Sequence, residues 1–152
     1  MERIICLAIG YLFGMFQTSY IIGKIHHMDI RQYGSGNAGT TNALRTLGKK
    51  AGAMTLIGDM LKCVIAILIV DAVFKNRYQE ILPLLGMYTA AGCVLGHNFP
   101  FYLGFRGGKG IAASAGMLLA MDWRVFLICA VIFIGLVAIT RYVSLGLSLI
   151  HI

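Results

Sequence analysis

A run of small and hydrogen-bonding residues in this sequence is typical of a phosphate-binding loop. It extends from Gly34 to Asn42, reads GSGNAGTTN and is followed by Arg45 one helical turn further on. Glycines permit positive φ and leave backbone N–H groups accessible, and hydroxyl and guanidinium groups donate to phosphate oxygens. The run also fits the GxGxxG pattern of dinucleotide sites. We reject that interpretation because no β-rich run precedes Gly34.

A second glycine-rich segment begins a short apolar stretch. It extends from Phe105 to Ala112 and reads FRGGKGIA. The N-terminus of a helix offers free N–H groups and the positive end of the helix dipole, and Lys109 adds a full charge. The segment is not a Walker A loop, because Gly110 stands where a magnesium-binding Ser or Thr is needed. We predict an anion site here.

Between these segments lies GHNFPF, from Gly96 to Phe101. Pro100 cannot continue a helix, so we predict that His97 lies at a helix end, beside the membrane headgroups. Such a histidine could orient a hydroxyl group or act as a base. A packing or capping role is the alternative.

The elements that position these residues are apolar helices. The chain of 152 residues is 59% hydrophobic and 12% charged, whereas soluble domains contain about 25% charged residues. This excludes an ordinary soluble enzyme and predicts an all-α, polytopic membrane protein with five to six membrane-embedded helices, forming one domain over residues 1–152. The predicted segments are Ile4 to Gly23, Gly52 to Val73, Ile81 to about Leu95, a short half-helix from Gly110 to Met121, and Val125 to Ile139.

Charges within and between these segments carry further information. Asp59 and Lys62 are three residues apart in the second segment, so we predict a pair that holds helices together. The four cysteines lack metal-ligand spacing, and no metal site is predicted. The side of the membrane that carries the glycine-rich segments holds eight basic residues, including Arg141 after the last segment, against four on the opposite side. This asymmetry predicts a cytoplasmic site and an N-terminus outside.

Together these motifs resemble those of the bacterial acyl-phosphate:glycerol-3-phosphate acyltransferase (PlsY) family. Residues Gly34 to Asn42 match a GSGNxGxTN-type motif, Gly96 to Phe101 match the first six positions of GHxxPxF, and Gly107 to Ala112 match GGKGxA. The stretch from Gly58 to Lys62 looks like the family's GDxLKG-type helix, and Thr140 to Gly146 looks like TRYVSLxS. The resemblance implies an enzyme of the bacterial cell membrane that transfers a fatty acyl group from acyl phosphate to the 1-hydroxyl of sn-glycerol 3-phosphate. It implies no metal or other cofactor.

The resemblance also implies roles for individual residues. Lys109 would stabilise charge on the leaving phosphate, with Ser35 and His97 as the other catalytic candidates. Proton removal by the acyl phosphate itself is an equal alternative to His97. The substrate-binding candidates are Gly34, Gly36, Asn37, Thr41, Asn42, Arg45, Gly107, Gly108, Gly110 and Ser144.

The chain also departs from the family pattern. Family members continue into further helices and a basic C-terminal stretch, so we expect a C-terminally truncated domain whose own activity is open. Leu147 also replaces a second serine after Ser144. None of the four histidines begins the His-x4-Asp pattern of acyltransferases that use soluble donors. A small transporter or channel for an anionic solute remains the non-enzymatic alternative.

Overall fold

The computed structural model describes residues 1–140, and every regular element in that range is helical. The helices are α1 (Glu2–Gly14), α2 (Thr18–Ile25), α3 (Thr40–Leu47), α4 (Lys49–Phe74), α5 (Leu82–Asn98), α6 (Ile111–Met121) and α7 (Trp123–Thr140). Short 3-10 turns lie at Ile30–Gln32, Gln79–Ile81 and Phe101–Leu103. The all-α prediction is confirmed, and each predicted apolar segment corresponds to a helix or to a pair of helices.

Within residues 1–140, three stretches are long and apolar enough to cross a membrane. They are Glu2–Ile25, which contains α1 and α2, then α4 and α7. Helix α5 is shorter and lies along α1, which is its most extensive partner. Helix α6 has 11 residues, which at about 1.5 Å per residue covers only part of a ~30 Å hydrocarbon core. The predicted half-helix is therefore confirmed.

The first segment is not the uninterrupted helix that its hydropathy predicts. It is broken at residues 15–17, between the end of α1 and the start of α2. Gln17 is fully buried there, and its Nε2 donates to the carbonyl of His97 at 2.7 Å. The hydroxyl of Tyr102 donates to the carbonyl of Met15 at 2.7 Å. Tyr102 thus satisfies a carbonyl that the break frees, and Gln17 ties the break to the end of α5, which an apolar pattern alone does not reveal.

Glycines allow α1 and α5 to approach closely. A Cβ on Gly10 would collide with the carbonyl of Thr89, and a Cβ on Gly92 would collide with the carbonyl of Leu7. Gly14 and Gly96 repeat the pattern four residues further along each helix. Small residues at such spacing let backbones touch, as they do between helices in membranes. This contact anchors the end of α5, where the GHNFPF motif lies.

Replacing Gly92 by Ala is expected to destabilise the helix pair, because the collision is with backbone that cannot rotate away. Overpacking of this kind costs about 1–3 kcal/mol. The measurement is the midpoint of thermal unfolding of the purified protein in detergent. Gly135→Ala in α7 is the matched control, because a Cβ there meets nothing within 4 Å. Equal midpoints for the two variants would contradict the close approach.

Candidate active site

A buried lysine joins the break after α1 to helix α4. The Nζ of Lys62 lies 3.0 Å from the carbonyl oxygen of Gly14 and 2.6 Å from that of Phe16. It also forms an ion pair with Asp59 Oδ1 at 3.0 Å, and the side chains of Lys62 and Asp59 are only 4% and 1% exposed. Thr18 Oγ1 donates to the same carboxylate oxygen. The predicted helix-holding pair is confirmed, and it also holds the break.

His97 adds α5 to this cluster. Its Nδ1 lies 2.7 Å from Lys62 Nζ and 3.8 Å from Asp59 Oδ1. The helix-end position predicted for His97 is confirmed, since it is the penultimate residue of α5. The side chain is buried within the protein, which the sequence did not predict. The physical reason is that the second glycine-rich segment folds over the ring.

The contacts of that segment explain its glycines. The amide of Gly107 donates to the carbonyl of Asn98 at 3.1 Å, and the amide of Gly108 donates to the carbonyl of His97 at 3.0 Å. A Cβ on Gly108 would collide with His97 Nε2. We predicted that both amides face an anion, but in this structure they cap the end of α5, whose last carbonyls lack helical partners.

The segment also contains the amides of Lys109 and Gly110 and the side chain of Lys109. Within residues 1–140 the amides of Lys109 and Gly110 have no backbone acceptor. The Lys109 side chain is exposed, and Gly110 has φ of +76° where it begins α6. The donors that this segment leaves without a backbone acceptor are therefore next to the N-terminus of α6.

The first glycine-rich loop is braced from within by Asn42. Its Nδ2 donates to the carbonyls of Ile30 and Tyr33 at 3.0 and 3.1 Å, and its Oδ1 accepts from the amide of Ser35 at 3.0 Å. Gly34 has φ of +59°, and a Cβ there would collide with Asn42 Oδ1. We predicted that Asn42 binds substrate. The structure gives its buried amide a scaffolding role instead.

The other predicted residues of this loop are placed where a ligand could reach them. Ser35, Gly36 and Arg45 are exposed, and Asn37 and Thr41 are half-buried. The amide of Ala38 donates to the carbonyl of Gly107 at 3.4 Å, so the two glycine-rich segments are in direct contact. Ser144 lies outside the described residues.

A cleft of about 660 Å³ opens beside this contact. Gly36 and Arg106 line it, one from each glycine-rich segment, together with Arg31 and Asp29. The Arg31 guanidinium pairs with Asp29 at 2.7 Å and donates to the carbonyl of Leu103 at 2.9 Å. The hydrogen bond from Arg31 lowers the pKa of the Asp29 carboxyl, and Asp29 in turn raises the pKa of Arg31.

Two of these features were not anticipated from the sequence. Arg31 is one of the eight basic residues that predict the orientation, and its pairing with Asp29 was not predicted. The contact between Lys62 and His97 joins residues 35 positions apart, and only the presence of a lysine in an apolar segment pointed to it.

Comparison with known proteins agrees with this architecture. Residues 4–152 match the family described as Glycerol-3-phosphate acyltransferase. A glycerol-3-phosphate acyltransferase of Clostridioides difficile is 55% identical over 145 residues, which cover 94% of this chain and 70% of the relative. One from Lactiplantibacillus plantarum is 46% identical, covering 96% of this chain and 68% of the relative.

Solved structures give the same result. The crystal structure of PlsY, an integral membrane glycerol 3-phosphate acyltransferase, in its glycerol 3-phosphate form superposes with a TM-score of 0.83 at 34% identity, covering 99% of this chain and 72% of that one. The lysophosphatidic acid form of PlsY gives a TM-score of 0.81 at 33% identity, with the same coverage. This chain therefore belongs to the glycerol-3-phosphate acyltransferase family and is a multi-pass integral membrane acyltransferase.

Proposed function

We propose that residues 1–152 form a single acyltransferase domain that works in the cleft beside the two glycine-rich segments. Its substrates are acyl phosphate and sn-glycerol 3-phosphate, and its products are lysophosphatidic acid and phosphate. The observation that carries this proposal is the contact between Ala38 and Gly107. It brings two phosphate-binding segments together, as a reaction between two phosphorylated substrates requires. Membership of an acyltransferase family decides against the alternative of a transporter.

The phosphate groups are assigned to the exposed donors of the two segments. Lys109, at the start of α6, binds the acyl phosphate and stabilises the charge that its phosphate gains on leaving. Ser35, Thr41 and Arg45 lie in the first loop or on α3 beside it and bind glycerol 3-phosphate. Gly34 and Gly36 supply the positive φ angles that the turns of the loop require. Asn37 and Gly110 complete the set, and Ser144 is assigned to it by resemblance.

The acyl chain is assigned to an apolar groove of about 400 Å³ between α1 and α4. Its walls are Leu12, Phe13, Phe16, Leu61 and Ile65, and it reaches Lys62. Lys62 contacts His97, and His97 in turn contacts Gly108. These contacts connect the groove to the segment that carries Lys109, and the head group of the acyl phosphate is assigned to that segment.

The transfer itself needs one new bond and one broken bond. The 1-hydroxyl oxygen of the acceptor attacks the acyl carbon, and the bond from that carbon to the phosphate oxygen breaks. Both ring nitrogens of His97 face protein groups, Nδ1 toward Lys62 and Nε2 toward Gly108. This arrangement favours a phosphate oxygen of the donor over His97 as the acceptor of the hydroxyl proton.

The reaction can be tested by phosphate release from palmitoyl phosphate. Purified protein in detergent is expected to release phosphate only when glycerol 3-phosphate is present. Lys109→Ala is expected to lower turnover by about 100-fold or more, because it removes a charge aimed at the leaving group. Lys75→Ala, an exposed lysine just after α4, is the control and should retain full turnover. Release that does not depend on the acceptor would contradict the proposal.

The assignment of the groove has its own test. Ile65→Trp is expected to shift preference toward shorter acyl phosphates, because the larger ring shortens the groove. Each methylene lost from an apolar contact changes selectivity by about 1–3 kcal/mol. The measurement is the ratio of kcat/KM for dodecanoyl and palmitoyl phosphate. Leu68→Trp is the matched control, since Leu68 is an exposed residue of α4 that does not line the groove. An unchanged ratio for Ile65→Trp would remove the acyl chain from this groove.

The protein is proposed to lie in the bacterial cell membrane, in contact with membrane lipids. Its active site faces the cytoplasm, and its N-terminus lies outside. The basic loops around the site support this orientation. A cysteine introduced at His26, beside the site loops, is expected to react with an impermeant maleimide in inverted vesicles and not in intact cells. A cysteine at Asn76, in the connection after α4, is expected to show the reverse. Both positions are exposed, so the opposite labelling pattern would overturn the orientation.

A further inference from the structure

We propose that Lys62 is a positioning residue for the acyl transfer. It holds the His97 ring, and through that ring it seats the glycine-rich segment that carries Lys109. The inference rests on the proposed function for its link to turnover, whereas its structural part can be tested without any activity.

The ammonium group of Lys62 is fully engaged by the protein. A protonated lysine has three protons to donate. Four protein acceptors surround Nζ within 3.0 Å, namely the carbonyls of Gly14 and Phe16, Asp59 Oδ1 and His97 Nδ1. The groove beside it is otherwise apolar, and the side chain is 4% exposed. No proton is left for a substrate, so Lys62 acts through the groups it holds.

The contact with Lys62 also fixes the chemistry of the His97 ring. An ammonium group can donate but cannot accept, so Nδ1 of His97 must be the acceptor of this hydrogen bond. The ring proton of neutral His97 is therefore on Nε2. This nitrogen faces Gly108, where even one added carbon would collide with it. The segment therefore packs directly on the ring, and its position depends on how the ring is held.

A second connection reaches the same point through the backbone. Lys62 binds the Gly14 carbonyl at the end of α1 and the Phe16 carbonyl within the break between α1 and α2. From that break Gln17 donates to the carbonyl of His97, which also accepts from the amide of Gly108. The ring of His97 and its carbonyl are thus both placed by Lys62. Gly108 immediately precedes Lys109, so a displaced segment would displace the catalytic ammonium.

The test compares Lys62→Met with Lys75→Met, and with Lys62→Arg as the conservative variant. Misplacing a catalytic group by about 1 Å can cost on the order of 100-fold in rate. We expect Lys62→Met to lower kcat by about that factor, with the KM for glycerol 3-phosphate changed by less than about 3-fold. Lys62→Arg retains charge and donors and is expected to recover part of kcat. Lys75→Met should match the unaltered chain.

Hydrogen exchange of the same proteins separates positioning from general loosening. In Lys62→Met the amides of Gly107 and Gly108 are expected to exchange faster, while amides around Val70 in the core of α4 stay protected. Adding His97→Gln to Lys62→Met should lower kcat little further, because both changes release the same ring. If Lys62→Met does not fold, Lys62→Gln, which keeps one donor for His97, takes its place in both measurements.

Each other result would overturn the inference. Unchanged kcat in Lys62→Met would show that the segment does not depend on Lys62. Reduced kcat with unchanged exchange at Gly107 and Gly108 would indicate direct contact with substrate. Equal loss of protection at Val70 would indicate a purely structural role. If the unaltered chain releases no phosphate with glycerol 3-phosphate, the proposed function fails, and the exchange comparison still decides whether Lys62 seats the segment.

Discussion

The structure depends on a buried ammonium group, that of Lys62, and on the acceptors that surround it. A lone charge at this depth would carry a desolvation penalty of several kcal/mol. The break between α1 and α2 would be equally unfavourable alone, because free carbonyls in a membrane interior have no water to bind. In this chain each feature satisfies the other, since Lys62 donates to the carbonyls of Gly14 and Phe16. The break, the ion pair with Asp59 and the orientation of His97 therefore form one arrangement.

Glycines also help to build the site, because they let neighbouring segments approach closely. Gly92 packs against the backbone of α1, and Gly108 packs against the ring of His97. Both contacts exclude even a single Cβ, so they position the end of α5 and the segment that follows it with little freedom. The exposed side chains of Lys109 and Arg45 extend from this closely packed backbone. A rigid frame with exposed cations suits phosphate binding, because the frame does not have to reorganise when the ligand arrives.

Much of the fold follows from sequence, because helix boundaries in a membrane follow hydropathy. The short helix α6, the pairing of Asp59 with Lys62 and the two glycine-rich segments were all predicted. The break in the first segment was not, because Gln17 is paired with a backbone carbonyl 80 positions away. The burial of His97 was missed for the same reason. Hydropathy describes each segment alone, whereas these features arise where distant segments meet.

Glycine-rich motifs illustrate the same limit at the level of single atoms. The sequence around Gly107 suggested a cradle of amides for an anion, yet two of those amides serve the carbonyls at the end of α5. The side chain of Asn42 likewise forms its hydrogen bonds with the backbone in and next to its own loop. A motif can thus be functional as a whole while only some of its atoms reach the ligand. Because the scaffolding atoms fix where the free ones point, loss of either kind should reduce turnover, and exchange rates at the scaffolding amides distinguish the two.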